Sequence, residues 1–129
     1  MTWSFQNDTP IYAQLIQGMT LRIVSGIYGA GEKLPSVRDL AAEAGVNPNT
    51  MQRALTELER EGLMFSQRTA GRYVTEDSMM IDRAKQGLAE EQIHRFLSAM
   101  TGLGYDVPAI ISLLQERDMK KEESVCPQS

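Results

Sequence analysis

Cysteine and histidine are almost missing from this chain, which has one of each, Cys126 and His94. A single cysteine excludes an intrachain disulfide and suits a reducing compartment. A single histidine, remote in sequence from that cysteine, supports neither a metal cluster nor a Cys–His nucleophile pair. His94 is most simply a flank residue of a helix. No apolar run approaches the ~18 residues of a membrane span, and no charged start leads into a signal-type apolar core. The stretch "GIYGAG" (26–31) lacks the strand-to-helix setting of a phosphate-binding loop. Positive charge is scarce as well. The 129 residues carry a net −4, with 7 basic and 7 acidic side chains over 1–74 against 6 and 10 over 75–129. Such a balance does not advertise a polyanionic partner, although a small cationic cluster on one face suffices for one. These absences argue against an enzyme. No catalytic residue, metal or cofactor is expected, and the chain reads as a soluble, cytoplasmic protein of one domain plus an appendage.

What is present is punctuation. Thr9 as a cap and Pro10 at the first helical position predict a first helix. Ile11, Leu15, Met19 and Ile23 recur along it every four residues, and Gly26 ends it. The upstream "WSF" gives a weak signal for an extended arm. Ser36, with Asp39 three residues on, predicts the cap of a short second helix. That helix has Val37, Leu40, Ala41 and Ala44 on one face, and Gly45 stops it. Asn47 and Pro48 then open a third helix that runs to Glu61, with Gly62 as its stop and Met51, Ala54, Leu55 and Leu58 as its buried side. Two amphipathic helices joined by so short a glycine-containing turn form the pattern of a helix-turn-helix. "LMFSQRTAGRYV" changes the period to that of two strands, around 63–68 and ending near Val74, with a turn through Thr69–Gly71.

The expected fold is therefore mainly α with a small β-hairpin wing. It comprises a winged helix-turn-helix domain over residues 1–76 and a short two-helix dimerisation segment over 77–118. Residues 119–129 are charged and polar and read as a frayed tail. Ser78 is expected to cap the long helix of that segment, and Asp106 and Pro108 to start the second after the break "TGLGYD". Stripes as apolar as these cannot be buried on each other alone, and a second copy of the chain is the simplest partner. Leu88, Phe96, Leu97, Ile110, Ile111 and Leu114 are the expected core of that homodimer.

The start of the third helix raises the functional question. Asn47 and Pro48 are explained as a cap and a first turn, but the outward row Asn49, Gln52, Arg53, Thr56 and Arg60 is not. Asn and Gln bond adenine edges in the major groove, and Arg bonds guanine or phosphate. Glu57, Glu59 and Glu61 all fall in the other half of the helix, where phosphates would repel them. Only the amino-terminal half, which also carries unpaired N–H groups and the positive dipole end, can approach DNA. Arg38 extends this surface, Arg68 is placed to enter a minor groove from the wing tip, and Ser36 and Arg72 read as phosphate contacts, with Lys33 a weaker candidate. The competing reading is a winged helix that docks proteins without specific DNA binding.

The stretch "KLPSVRDLAAEAGVNPNTMQRALTELEREGLMFSQRTAGRYV", together with "PIYAQL" near the start, resembles the DNA-binding domain of GntR-type bacterial transcription regulators. The likeness lies in Leu34-Pro35-Ser36, Arg38, Leu40-Ala41, Gly45-Val46, Thr50, Ala54-Leu55, Leu58, Glu61-Gly62, Gly71 and Val74. The short two-helix tail is similar to that of the YtrA subfamily. This resemblance implies a small homodimeric repressor on a palindromic double-stranded DNA operator. It also implies DNA contacts at Arg38, Asn47, Asn49, Thr50 and Gln52, with the wing around Arg68 and Thr69. Pro48 and Gln52 stand where many members carry Arg, and Thr69 where many carry Gly, so base preference and wing depth do not transfer. No effector is named by the sequence. A pocket of the usual ~300 Å³ would have to form between subunits.

Overall fold

A computed structural model describes residues 2–68 and 70–123, with the backbone alone for 121–123. Its elements run α1 (Ile11–Val24), α2 (Val37–Ala44), α3 (Pro48–Arg60), β1 (Met64–Gln67), β2 (Gly71–Val74), α4 (Ser78–Gly102) and α5 (Val107–Glu123). The mainly helical fold with a two-stranded antiparallel hairpin agrees with the sequence reading. Compactness divides the chain within α4, into residues 1–88 and 89–129.

The first unit is built on one apolar seam. The predicted faces of α1, α2 and α3 supply Leu15, Met19, Leu40, Met51, Leu55 and Leu58, all fully buried, and Val74 closes the seam from the hairpin. A buried Leu or Met of this kind stabilises the fold by roughly 1.5–3 kcal/mol, so the seam outweighs any single polar contact around it. Gly45 ends α2 at φ 73°. There Val46 N–H reaches back to the Ala41 carbonyl at 3.0 Å, closing the helix in a conformation that costs a Cβ-bearing residue energy. Asn47 can then open α3 after a single intervening residue, which sets the angle between the two helices.

The helix starts differ from expectation in two places. Pro10, not Thr9, is the cap residue of α1, and it makes no side-chain cap bond. The work is done from inside the helix. Gln14 Nε2 donates to the carbonyls of Gln6 (2.8 Å) and Thr9 (2.7 Å), and its Oε1 accepts from Gln6 N–H. For α4 the cap is Asp77, whose Oδ1 accepts from Met79 N–H at 3.0 Å; Ser78 is already the first helical residue. Ser36 and Asp106 play their predicted parts as caps. Asp39 N–H bonds Ser36 Oγ at 3.1 Å, and Asp106 Oδ1 accepts from Ala109 N–H at 3.0 Å.

The amino-terminal arm packs on the first unit through Trp3 and Phe5. Trp3 stacks on Phe5 with ring centroids 5.7 Å apart, and the buried Arg22 lies 3.8 Å from the Trp3 ring centre while donating to the Gly18 carbonyl at 3.0 Å. Gly18 makes this possible, since a Cβ there would stand 2.3 Å from the Trp3 ring.

The carboxy-terminal part differs in extent. Ile81 and Ala84 pack against the core of the first unit, and Met80 lies against Gly62. The start of α4 therefore packs with the first compact unit, which runs to Leu88. Helix α5 continues to Glu123, through residues expected to fray from 119. Cys126 and the rest of 124–129 lie outside the described residues. In the second unit Phe96, Ile111 and Leu114 are exposed, and Leu97 is half-buried. Ile110, expected in the dimer core with them, is buried within the single chain.

Trp3 is the chain's single tryptophan, so its emission reports on the arm alone. Gly18→Ala gains about 1 kcal/mol of helix propensity but loses a similar amount to overpacking. Thermal stability should stay within about 1 kcal/mol, while Trp3 emission moves to longer wavelength as the ring is displaced. Unchanged emission would show that the arm is not seated on Gly18.

Candidate nucleic-acid interface

Helix α3 has two unlike faces. Met51, Ala54, Leu55 and Leu58 are buried, whereas Asn49, Gln52, Arg53, Thr56 and Arg60 are exposed on the opposite side of the 3.6-residue repeat. Asn47 Oδ1 accepts the Asn49 N–H at 2.7 Å and caps the helix. Thr50 is half-buried at the edge of the core, and Thr56 spends its hydroxyl on the Gln52 carbonyl at 2.9 Å. The side chains of Asn49, Gln52 and Arg53 thus form the exposed polar row of the first two turns. Ser36 and Arg38 are exposed at the start of α2, and Arg68 is exposed after β1. Thr69 lies outside the described residues.

The wing is a hairpin in which Phe65 pairs with Tyr73 and Ser66 with Arg72. Alternation along a strand sends these pairs to opposite faces. Phe65 and Tyr73 stack at 5.7 Å on one. On the other, Glu59 of α3 accepts from Ser66 Oγ at 2.7 Å and from Arg72 Nε at 2.6 Å. Lys33 forms a bridge to Tyr73, and Leu34 N–H bonds the Arg72 carbonyl at 2.9 Å, so the segment before α2 flanks the outer strand.

Arg72, expected as a phosphate contact, lies within this clasp. Its side chain is only 16% exposed, and its Nε is bound to Glu59 at 2.6 Å. The sequence offered no signal for it, because residues 59 and 72 meet only after the hairpin folds back. Glu59 is likewise not merely an acid kept away from DNA. Of the neighbouring acids, Glu57 pairs with Arg60 at 3.3 Å, and the Glu61 carboxyl is raised above its ordinary value by partial burial and then by Glu57. A second feature missed in the sequence is Tyr12 of α1, whose ring lies under the Arg53 guanidinium at 4.7 Å. Among the described residues, no group of three or more His, Cys, Asp or Glu side chains is placed to hold a metal ion, and no single helix is long and apolar enough to cross a membrane.

Three short helices, a turn capped for close approach and a clasped hairpin define a winged helix-turn-helix protein. The chain belongs to the GntR family of bacterial regulators: the family model described as "Bacterial regulatory proteins, gntR family" matches residues 11–74. It is similar to the HTH-type transcriptional repressor YtrA of Bacillus subtilis (strain 168), with 40% identity over 71% of this chain and 72% of that protein. A GntR family transcriptional regulator from Listeria monocytogenes has the same fold, with 38% identity, a TM-score of 0.78 and coverage of 87% of this chain and 98% of that one. The AraR DNA-binding domain, solved in complex with operator ORX1, matches at 26% identity and a TM-score of 0.53 over 58% of this chain and 99% of that one. The protein is a DNA-binding transcription regulator, not an enzyme.

The clasp can be measured directly. Arg72→Ala and Glu59→Ala should each lower stability by about 1–2 kcal/mol, since each breaks a charge-assisted bond that is partly shielded from water. The double variant should cost little more than either alone, because the contact is shared. Additive losses in thermal melts would mean that the two residues do not act as a pair.

Proposed function

We propose that this protein is a cytoplasmic repressor that binds a palindromic operator as a homodimer, with the amino-terminal half of α3 in the major groove and the hairpin as a wing. The observation that carries the reading is the division of α3. Its exposed amides and Arg53 lie in the first two turns, and its acids lie beyond them. A helix so divided can enter a groove only by its start, where the dipole end and free N–H groups favour phosphate. Gln52, Asn49 and Asn47 are assigned to base edges, and Ser36, Thr50, Arg38, Arg53 and Arg68 to phosphates or the minor groove. Arg72 acts by holding the wing.

Dimerisation is supported by what a single chain leaves open. Ile93, Phe96, Leu103, Val107, Ile111, Leu113 and Leu114 are each more than a third exposed, which a soluble monomer rarely sustains over so short a stretch. One winged helix contacts only a few base pairs, and two linked copies gain a second, effectively intramolecular contact. Leu88 and Leu97, half-buried in the single chain, and the buried Ile110 are assigned to the same interface.

Readout and positioning separate by experiment. On a duplex selected by the protein from a random-sequence pool, Gln52→Ala should cost about 1–3 kcal/mol and far less on unselected DNA. Arg38→Ala and Arg68→Ala should each flatten the slope of log K against log salt by about 0.9. Arg72→Ala should weaken binding with the slope intact. A flattened slope for Arg72→Ala and unchanged slopes for the other two would invert the assignment.

The interface is tested in the full chain. Ile111 and Leu114 are about half exposed, so Ile111→Glu with Leu114→Glu should leave the fold intact. Sedimentation should find this variant monomeric, with palindrome binding weakened roughly 10²-fold and half-site binding unchanged. A variant that remains dimeric would move the interface elsewhere.

A further inference from the structure

We infer that Tyr12, on the first turn of α1, is a positioning residue for DNA binding, holding the Arg53 guanidinium beside the polar end of α3. The inference rests on the reading of α3 as the helix that enters the groove, and it adds α1 to that surface.

Arg53 is exposed, and its guanidinium carbon lies 4.7 Å from the centre of the Tyr12 ring. The ring has a firm support. Tyr12 is half-buried, Leu15 in the next turn is fully buried, and Gln14 ties the start of α1 to the carbonyls of Gln6 and Thr9. An arginine on the outer face of a helix otherwise samples many rotamers, and contact with DNA must select one. Stacking on an aromatic face makes that selection beforehand.

The kind of contact matters as much as its presence. A carboxylate partner occupies the N–H donors of an arginine, as Glu59 does at Arg72 Nε. An aromatic ring engages the face of the guanidinium and leaves the in-plane N–H groups open, and those are the groups that bond phosphate or guanine. The two acids of α3, Glu57 and Glu59, pair elsewhere, with Arg60 and with Arg72. Tyr12 therefore holds Arg53 without neutralising it or occupying its donors.

The test is a double-mutant cycle on the duplex that the wild-type protein selects from a random-sequence pool, with a melting curve for each variant. Tyr12→Leu should weaken binding about two- to fivefold, the range of an exposed cation–π contact. Tyr12→Phe should bind like wild type, because the ring face is kept. Arg53→Ala should cost more than Tyr12→Leu, and adding Tyr12→Leu to Arg53→Ala should cost nothing further. If Tyr12→Leu does not fold, Tyr12→Met takes its place in the cycle. Additive losses would overturn the coupling, and a Tyr12→Phe loss equal to that of Tyr12→Leu would make the hydroxyl itself the contact. If Arg53→Ala binds like wild type while Gln52→Ala does not, the inference fails and the DNA reading of α3 stands. If the wild-type chain enriches no duplex at all, both fail.

Discussion

The seam that buries Met51, Leu55 and Leu58 of α3 against Leu15 and Met19 of α1 is the constraint on which everything else depends. A helix offers a groove only the residues its own packing does not need. With these positions committed to the core, Asn49, Gln52 and Arg53 have no choice but to face out. The same seam carries the start of α1 alongside α3, which is how Tyr12 comes to lie under Arg53.

Charge is then managed by giving each arginine a different support. Arg22 is buried beneath the Trp3 ring with the Gly18 carbonyl as acceptor, and it stabilises the arm. Arg72 is closed into a carboxylate clasp. Arg53 rests on an aromatic face that leaves its donors outward. Arg38 and Arg68 are exposed. Two acids of α3, Glu57 and Glu59, are occupied with arginine partners of their own, so a net −4 over the whole chain does not set the local charge around α3. The count of basic residues says little about such a protein, and the fate of each side chain says most of it.

The long helix α4 serves two units. Its first turns close the winged domain through Ile81 and Ala84, and its later turns belong with α5, where large apolar side chains stand open.

Local chemistry was enough to read the helix faces, the Asn47–Pro48 start, the Gly45 stop, the hairpin and the exposed polar row, because periodicity, caps and turn residues act over a few positions. Those features determined the winged helix-turn-helix class. The Glu59–Arg72 clasp, the Tyr12–Arg53 stack and the seat of Trp3 on Gly18 join residues far apart in the chain, and no local pattern announces a side chain's distant partner. The burial of Ile110 within the single chain is likewise not local, since an apolar stripe marks which residues avoid water but not which surface covers each one. The cap of α4 went to Asp77 instead of Ser78 by a shift of one residue, a choice that local sequence leaves nearly balanced. Sequence determined which groups are available at the polar end of α3; the tertiary packing of α1 and the hairpin decided which of them are held, and how.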